Sequence, residues 1–241
     1  MCCLFGFVDY AGSLSVKQKD RLIRELSIAA EARGTDATGI AYNTSRGLQI
    51  YKRPVAAHRL HLHIPSEAHV VMGHTRMATQ GSAKKNYNNH PFFGHVKEES
   101  FALAHNGVIW NDLELRRTKH LPRTKVQTDT YIAIQLLERQ KTLDFDSLRY
   151  MAEQVEGSFT FTVLDEQSAL WIVKGDNPLS IAHFPAVGVY VYASTAEILN
   201  RALTRCGNWL GREEKGDIAM GDIIKIDSNG RITRGTFDAS K

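Results

Sequence analysis

The sequence predicts an α+β fold in which two mostly antiparallel sheets stack and helices lie outside them. Two observations carry that expectation. Candidate strands come in runs joined by hairpin-length turns, and candidate helices fall between the runs instead of alternating with single strands. Connections that short suit antiparallel neighbours, because parallel neighbours need long crossovers.

Each element follows from local pattern. Residues 4–8 are apolar and suit a buried strand. From Ser15 to Arg33, Leu22, Leu26 and the Ala29–Ala30 pair recur at helical spacing, and Gly34 ends the helix. Gly39–Tyr42 and Leu48–Tyr51 read as paired strands around a turn at Asn43–Gly47. Residues 70–78 and 101–110 read as strands running into glycine-containing loops. Thr128–Arg139 reads as a helix with Ile132, Leu136 and Leu137 inward and Thr128 as its N-cap. Asp146–Glu156 is another, striped by Leu148, Met151, Ala152 and Val155 and followed by Gly157. Strands at 158–164, 169–174, 179–184 and 187–193 precede a helix over Ala196–Cys206. Two strands around Ser228-Asn229-Gly230 close the chain. With no repeat and no linker, residues 1–241 read as one domain.

Composition excludes several classes. Hydrophobic residues make up 43% and charged residues 23%, which excludes global disorder. No apolar run approaches the roughly 18 residues of a membrane helix. The start, MCCLFGFVDY, lacks a basic region and carries Asp9, unlike a secretory signal. Three cysteines without a CxxC make neither a disulfide framework nor a zinc site, so a reducing, cytoplasmic setting is expected. A net charge of +4 from scattered basic residues does not call for nucleic acid.

Four places could carry chemistry. Removal of Met1 would put a thiol and a free α-amine on Cys2, a nucleophile with its own base, since an α-amine titrates near 7.7–8.0. The ordinary reading is a cysteine buried as a small hydrophobe, and strand alternation turns Cys3 to the opposite face. Next, His74-Thr75-Arg76-Met77-Ala78-Thr79-Gln80-Gly81 ends a strand in groups that could hold a carboxylate, Arg76 through a planar fork. In His105-Asn106-Gly107, an Asn amide and the next backbone N–H could make a two-donor oxyanion hole; the dipeptide is also a common turn. Finally, Asp129 in Thr128-Asp129-Thr130 complements a helix dipole by default, or binds an ammonium group if it faces a cleft.

Taken in order, Cys2, RGTDATGI (33–40), GHTRMATQG (73–81), NNHPF (88–92), AHNGVI (104–109) and TDTY (128–131) resemble the class II glutamine amidotransferases. These are the N-terminal-nucleophile glutaminase domains found in glucosamine-6-phosphate synthase, amidophosphoribosyltransferase and asparagine synthetase. The later EGSFTFTVLD, NPLSIAH, YVYAST and GDIIKID segments look like the second half of that domain. The resemblance implies a four-layer αββα sandwich; with no P-loop and no GxGxxG in the sequence, no cofactor is expected. It implies Cys2 as nucleophile and Asn106 with the Gly107 N–H as oxyanion hole. Arg76 would clamp the α-carboxylate of L-glutamine with help from Thr79 and the Met77 backbone, and Asp129 would accept the α-ammonium. Arg33 and Asp36 take a structural part.

Departures from the family pattern are Cys3 for the usual Gly, Met77 for an aromatic residue, Gln80 for a His and Ala37 for a Ser. While Met1 stays attached, the Cys2 amine is a peptide nitrogen and the chain is an unprocessed precursor. His58, His61, His63, His69 and His74 lack metal-site spacing and read as solvated or packing residues. Arg116, Arg117, Lys119, Arg123 and Lys125 read as a solvated loop. The expected activity is hydrolysis of glutamine to glutamate and ammonia, with ammonia passed to a separate synthase or acceptor subunit. The alternatives are a hydrolase of another γ-glutamyl amide and a non-catalytic glutamine-binding subunit.

Overall fold

The computed structural model describes residues 2–240; Met1, whose removal the sequence reading requires, lies outside the described residues. In chain order the first half runs β1 (Cys3–Asp9), α1 (Val16–Ala30), β2 (Ala37–Thr44), β3 (Gly47–Arg53), β4 (Val70–Arg76), β5 (Phe92–His95) and β6 (Ser100–Ile109). Helices α2 (Asp112–Thr118), α3 (Tyr131–Gln140) and α4 (Phe145–Gln154) follow. The second half runs β7 (Gly157–Asp165), β8 (Leu170–Lys174), β9 (Ser180–Phe184), β10 (Val189–Ala193), α5 (Ala196–Cys206), β11 (Glu214–Lys215), β12 (Asp222–Ile226) and β13 (Ile232–Thr236).

The strands form a seven-stranded sheet, β11-β9-β10-β1-β4-β2-β3, and a six-stranded sheet, β13-β12-β8-β7-β6-β5. Neighbouring strands pair antiparallel, through short connections at β2–β3, β5–β6, β7–β8, β9–β10 and β12–β13 and through longer ones at β1–β10, β1–β4, β2–β4 and β6–β7. Alternation along β1 sets the layers. Leu4 and Val8 face an inter-sheet core with Met72, Ala104, Leu164 and Ile172. Cys3, Phe5 and Phe7 face outward onto Leu22, Ile23 and Leu26 of α1 and Ala202 of α5. On the far side, Ile132 and Leu136 of α3 and Leu148 and Met151 of α4 cover Leu103, Phe161 and Val163 of the second sheet. The order is therefore helix, sheet, sheet, helix, the expected αββα sandwich.

Ser15 caps α1 through a reciprocal box with Gln18, and α1 passes into a 3-10 turn at Glu31–Arg33 before Gly34. Two local expectations need correction. Helix α3 begins at Tyr131, so residues 128–130 form a turn and the Thr128 hydroxyl caps nothing. The basic stretch is not all loop, since Arg116 and Arg117 lie on α2. Strand β5 was not legible either: it is four residues long, and Phe93 is half exposed beside buried Phe92. Among the described residues no helix is long and apolar enough to cross a membrane.

Candidate active site

Cys2, Arg76, Met77, Thr79, Gly107 and Asp129 line one small, tight cleft, where the start of β1, the end of β4, β6 and the turn before α3 meet. Period-two alternation puts Cys2 on the side of Leu4, toward the second sheet, and Cys3 on the helix side. The Cys2 Sγ lies 3.7 Å from the Met77 carbonyl. Burial pushes its thiol pKa up; contact with the Met77 backbone and the charge of Arg76 pull it back, and Asp129 opposes them. A thiol so shifted would need a base to react as a thiolate. Cys3 and Cys206 are buried in the helix-side core, and burial pushes each to about 11. The cysteine at the usual glycine position thus packs away from Cys2 without crowding it.

Arg33 joins Cys2 to Asn106. Its Nε–H donates to the Cys2 carbonyl at 2.8 Å, and its Nη2 faces Asn106 Oδ1 at 3.4 Å. That fixes the amide with its oxygen toward the guanidinium. Asn106 Nδ2 is left buried without a hydrogen-bond partner. The Asn106 carbonyl accepts from Asn177 Nδ2 at 3.0 Å, which pins β6 locally. Gly107 has φ +150°, and a Cβ there would sit 1.8 Å from the Ser158 carbonyl oxygen. No other residue fits that backbone.

Arg76 is buried and heavily held. It donates to Asn89 Oδ1 at 2.8 Å, to the Gln80 carbonyl at 2.6 Å and to the Gly81 carbonyl at 3.0 Å. A guanidinium has five N–H donors, so capacity remains for a carboxylate. Asp36 shapes the chain beyond it: the Asp36 N–H donates to the Arg76 carbonyl at 2.9 Å and its Oδ2 accepts from the Ala78 N–H at 2.8 Å. Gly34 permits this approach, since a Cβ on it would lie 2.4 Å from the Arg76 carbonyl carbon. Lys52 donates to the Asn89 and Pro91 carbonyls and fixes the same loop; burial brings its pKa down to about 8.

Asp129 is buried, and its Oδ2 accepts from the Ile109 N–H at 2.7 Å, which ties the turn to β6. Beneath the cleft, the Thr130 hydroxyl lies 3.1 Å from His90 Nε2 and 2.9 Å from His105 Nδ1, so it donates to one ring and accepts from the other. His74 stacks on His90 and donates from Nε2 to the His105 carbonyl at 3.0 Å. Burial brings His74 down to about 3 and lowers His90 and His105 as well, so all three are neutral.

The sequence reading missed Asn89, Asn177 and the His90–Thr130–His105 seam. A signal existed for the first: Asn86, Asn88 and Asn89 crowd amides into one short loop, and all three are engaged in hydrogen bonds. The other histidines disperse, His58 onto Glu31, His63 onto Asp20 and His69 near Asp9. Among the described residues no group of His, Cys, Asp or Glu is placed to hold a metal ion.

Residues 74–201 match the family model described as a glutamine amidotransferase domain. The chain belongs to the class II glutamine amidotransferases. It is 34% identical over 199 residues to the glutamine–fructose-6-phosphate aminotransferase (isomerizing) of Halalkalibacterium halodurans, covering 79% of this chain and 32% of that enzyme. It is 31% identical over 195 residues to the enzyme of the same name from Sulfurisphaera tokodaii, covering 75% and 31%. The chain thus spans about a third of the length of these curated relatives. Its fold resembles glutamine phosphoribosylpyrophosphate amidotransferase from B. subtilis, with a TM-score of 0.75 at 19% identity over 98% of this chain and 49% of that one. It also resembles a predicted glutamine amidotransferase from Pseudomonas aeruginosa, with a TM-score of 0.52 at 13% identity over 96% and 94%. This amidotransferase chain therefore shares its fold with both of these structures.

Proposed function

We propose that this amidotransferase hydrolyses L-glutamine to glutamate and ammonia through a thioester on Cys2. The observation that carries the reading is Asn106 Nδ2. It is a buried donor without a partner, held through Arg33, which also grips the Cys2 carbonyl. A buried unpaired donor costs stability, and its use is to meet charge that develops only in a reaction.

Once Met1 is removed, the Cys2 α-amine takes the thiol proton as Sγ attacks the amide carbon. The carbonyl oxygen becomes an oxyanion facing Asn106 Nδ2 and the Gly107 N–H. Collapse breaks the carbon–nitrogen bond, and the proton passes from the amine to the leaving nitrogen as ammonia departs. Water then attacks the thioester and releases glutamate and the thiol. Arg76 holds the α-carboxylate with its remaining N–H groups, assisted by Thr79 and the Met77 backbone, and Asp129 holds the α-ammonium. The relatives' names describe transfer to an acceptor, and ammonia made here passes to a separate acceptor protein in the cytoplasm.

Intact mass of the purified protein shows whether Met1 is gone, and glutaminase assay of that material tests the reaction. A diazo-ketone analogue of glutamine should label Cys2 alone, and Cys2→Ala should abolish turnover with the fold retained. Labelling at Cys3 or Cys206, or full activity of Cys2→Ala, would overturn the assignment.

A further inference from the structure

Thr128 carries another buried polar atom with no partner, beside those of His90, His105 and Asn106. The residue is 3% exposed, its Oγ1 makes no hydrogen bond, and it lines the same cleft as Cys2 and Asp129. Local structure does not explain it. Helix α3 starts three residues later, and the Tyr131 N–H donates to the Thr128 carbonyl at 3.3 Å, leaving the hydroxyl out of the turn. Thr130 makes the contrast, since its hydroxyl is occupied by both His90 and His105.

We propose that Thr128 is a substrate-binding residue that accepts a hydrogen bond from the α-ammonium group of glutamine, alongside Asp129. This rests on the glutaminase reading above. The argument is a count of donors. An ammonium group carries three N–H bonds, and in a closed cleft each needs an acceptor. Asp129 has already given Oδ2 to the Ile109 N–H, so one of its oxygens is open. The Thr128 hydroxyl, on the adjacent residue, supplies a further lone pair, and it rotates freely to present it.

The test is steady-state kinetics of the Met1-processed enzyme and its Thr128→Val and Thr128→Ser variants. Substrates are glutamine and 4-carbamoylbutanoate, which is glutamine without its α-amine. Thr128→Val should raise KM for glutamine roughly tenfold with kcat nearly unchanged, the size of one hydrogen bond to a charged group held in the ground state. On 4-carbamoylbutanoate the Val variant and the parent should match. Thr128→Ser should behave as the parent on both substrates. The Val variant should melt no lower than the parent, because it removes a buried unsatisfied hydroxyl. A structural threonine would instead show a lower melting temperature and no substrate dependence. The inference is overturned if Thr128→Val keeps the parental KM for glutamine, or loses equally on both substrates. A processed parent with no glutamine turnover overturns the glutaminase reading itself. A parent that turns glutamine over while the Val variant matches it overturns Thr128 alone.

Discussion

The two walls of the cleft are built differently. On the wall formed by the end of β4 and the loop after it, the charged groups are already paired, Arg76 with Asn89, Gln80 and Gly81, and the Asp36 carboxylate with the Ala78 N–H, and one buried atom, His90 Nδ1, stands unpaired. On the wall formed by β6 and the turn before α3, three buried polar atoms stand unpaired, His105 Nε2, Asn106 Nδ2 and Thr128 Oγ1. The first wall is a frame whose cation is held by three hydrogen bonds before substrate arrives. The second leaves hydrogen-bonding capacity that only a ligand or a transition state can meet. A frame of the first kind contributes to both stability and binding. A wall of the second kind lowers stability and contributes only when the site is occupied.

The largest expected effect comes from removing the frame's centre. Arg76→Ala should lose the substrate carboxylate and leave Asn89 Oδ1 and two carbonyls buried without partners. We expect roughly 2–5 kcal/mol lost from glutamine binding, by analogy with unpaired buried charges, and about 2–4 kcal/mol lost from folding. Denaturant titration and KM should move together. An Arg76→Ala protein with parental stability and a raised KM would show that the first wall is not a structural frame.

On the other wall the two effects should separate. Asn106→Ala should lower kcat by about 10²–10³ with little rise in KM, since an oxyanion donor acts mainly in the transition state. Its folding stability should fall little, because the lost Nδ2 had no partner and the lost Oδ1 accepts one long contact from Arg33 Nη2 at 3.4 Å. Near-parental turnover would return Asn106 to a turn-forming role. Asp129→Asn gives a smaller effect of the same kind. Its amide oxygen still accepts from the Ile109 N–H, so the turn survives, while the ammonium contact weakens by roughly 1.5–3 kcal/mol. KM should rise with melting temperature nearly unchanged, and a large drop in melting temperature would place Asp129 with the frame.

How much of this was legible depended on whether a residue's partner is near in sequence. The period-two run at 4–8 and the helical stripe of Leu22, Leu26 and Ala29 report local geometry, and β1 and α1 lie where those patterns place them. The recurring motifs marked the residues that line the cleft, but not what holds them. Arg76 depends on Asn89, and Asn106 on Arg33 and Asn177, partners 13 to 73 positions away. No periodicity encodes such pairings. Thr128 reads as a cap because threonine before an apolar stripe usually is one. Tertiary contact instead delays the helix to Tyr131, since Asp129 is drawn onto β6 by the Ile109 N–H.

The smallest expected effect, per unit of perturbation, tests the seam that joins the walls. His90 belongs to the loop of the paired wall, His105 and Thr130 to the unpaired one, and His74 lies stacked on His90. Burial holds His74 at about 3, against an ordinary value near 6.5, with His90 and His105 lowered too. The sign follows from proton counting. Between pH 6.5 and 3 the unfolded chain binds a proton at His74 that the folded chain does not, so stability is full above 6.5 and falls as pH drops through that window. One such histidine contributes a slope of about 1.4 kcal/mol per pH unit. Carboxylates titrate in the same range, so the measurement is a difference: urea midpoints of the parent and of His74→Gln at pH 7, 5.5 and 4.5. Gln keeps an N–H for the His105 carbonyl and removes the titration. Its acid slope should be shallower than the parent's by up to about 1.4 kcal/mol per unit. Identical slopes would mean that His74 takes up a proton without opening the seam, and that the two walls are not joined through a neutral histidine stack.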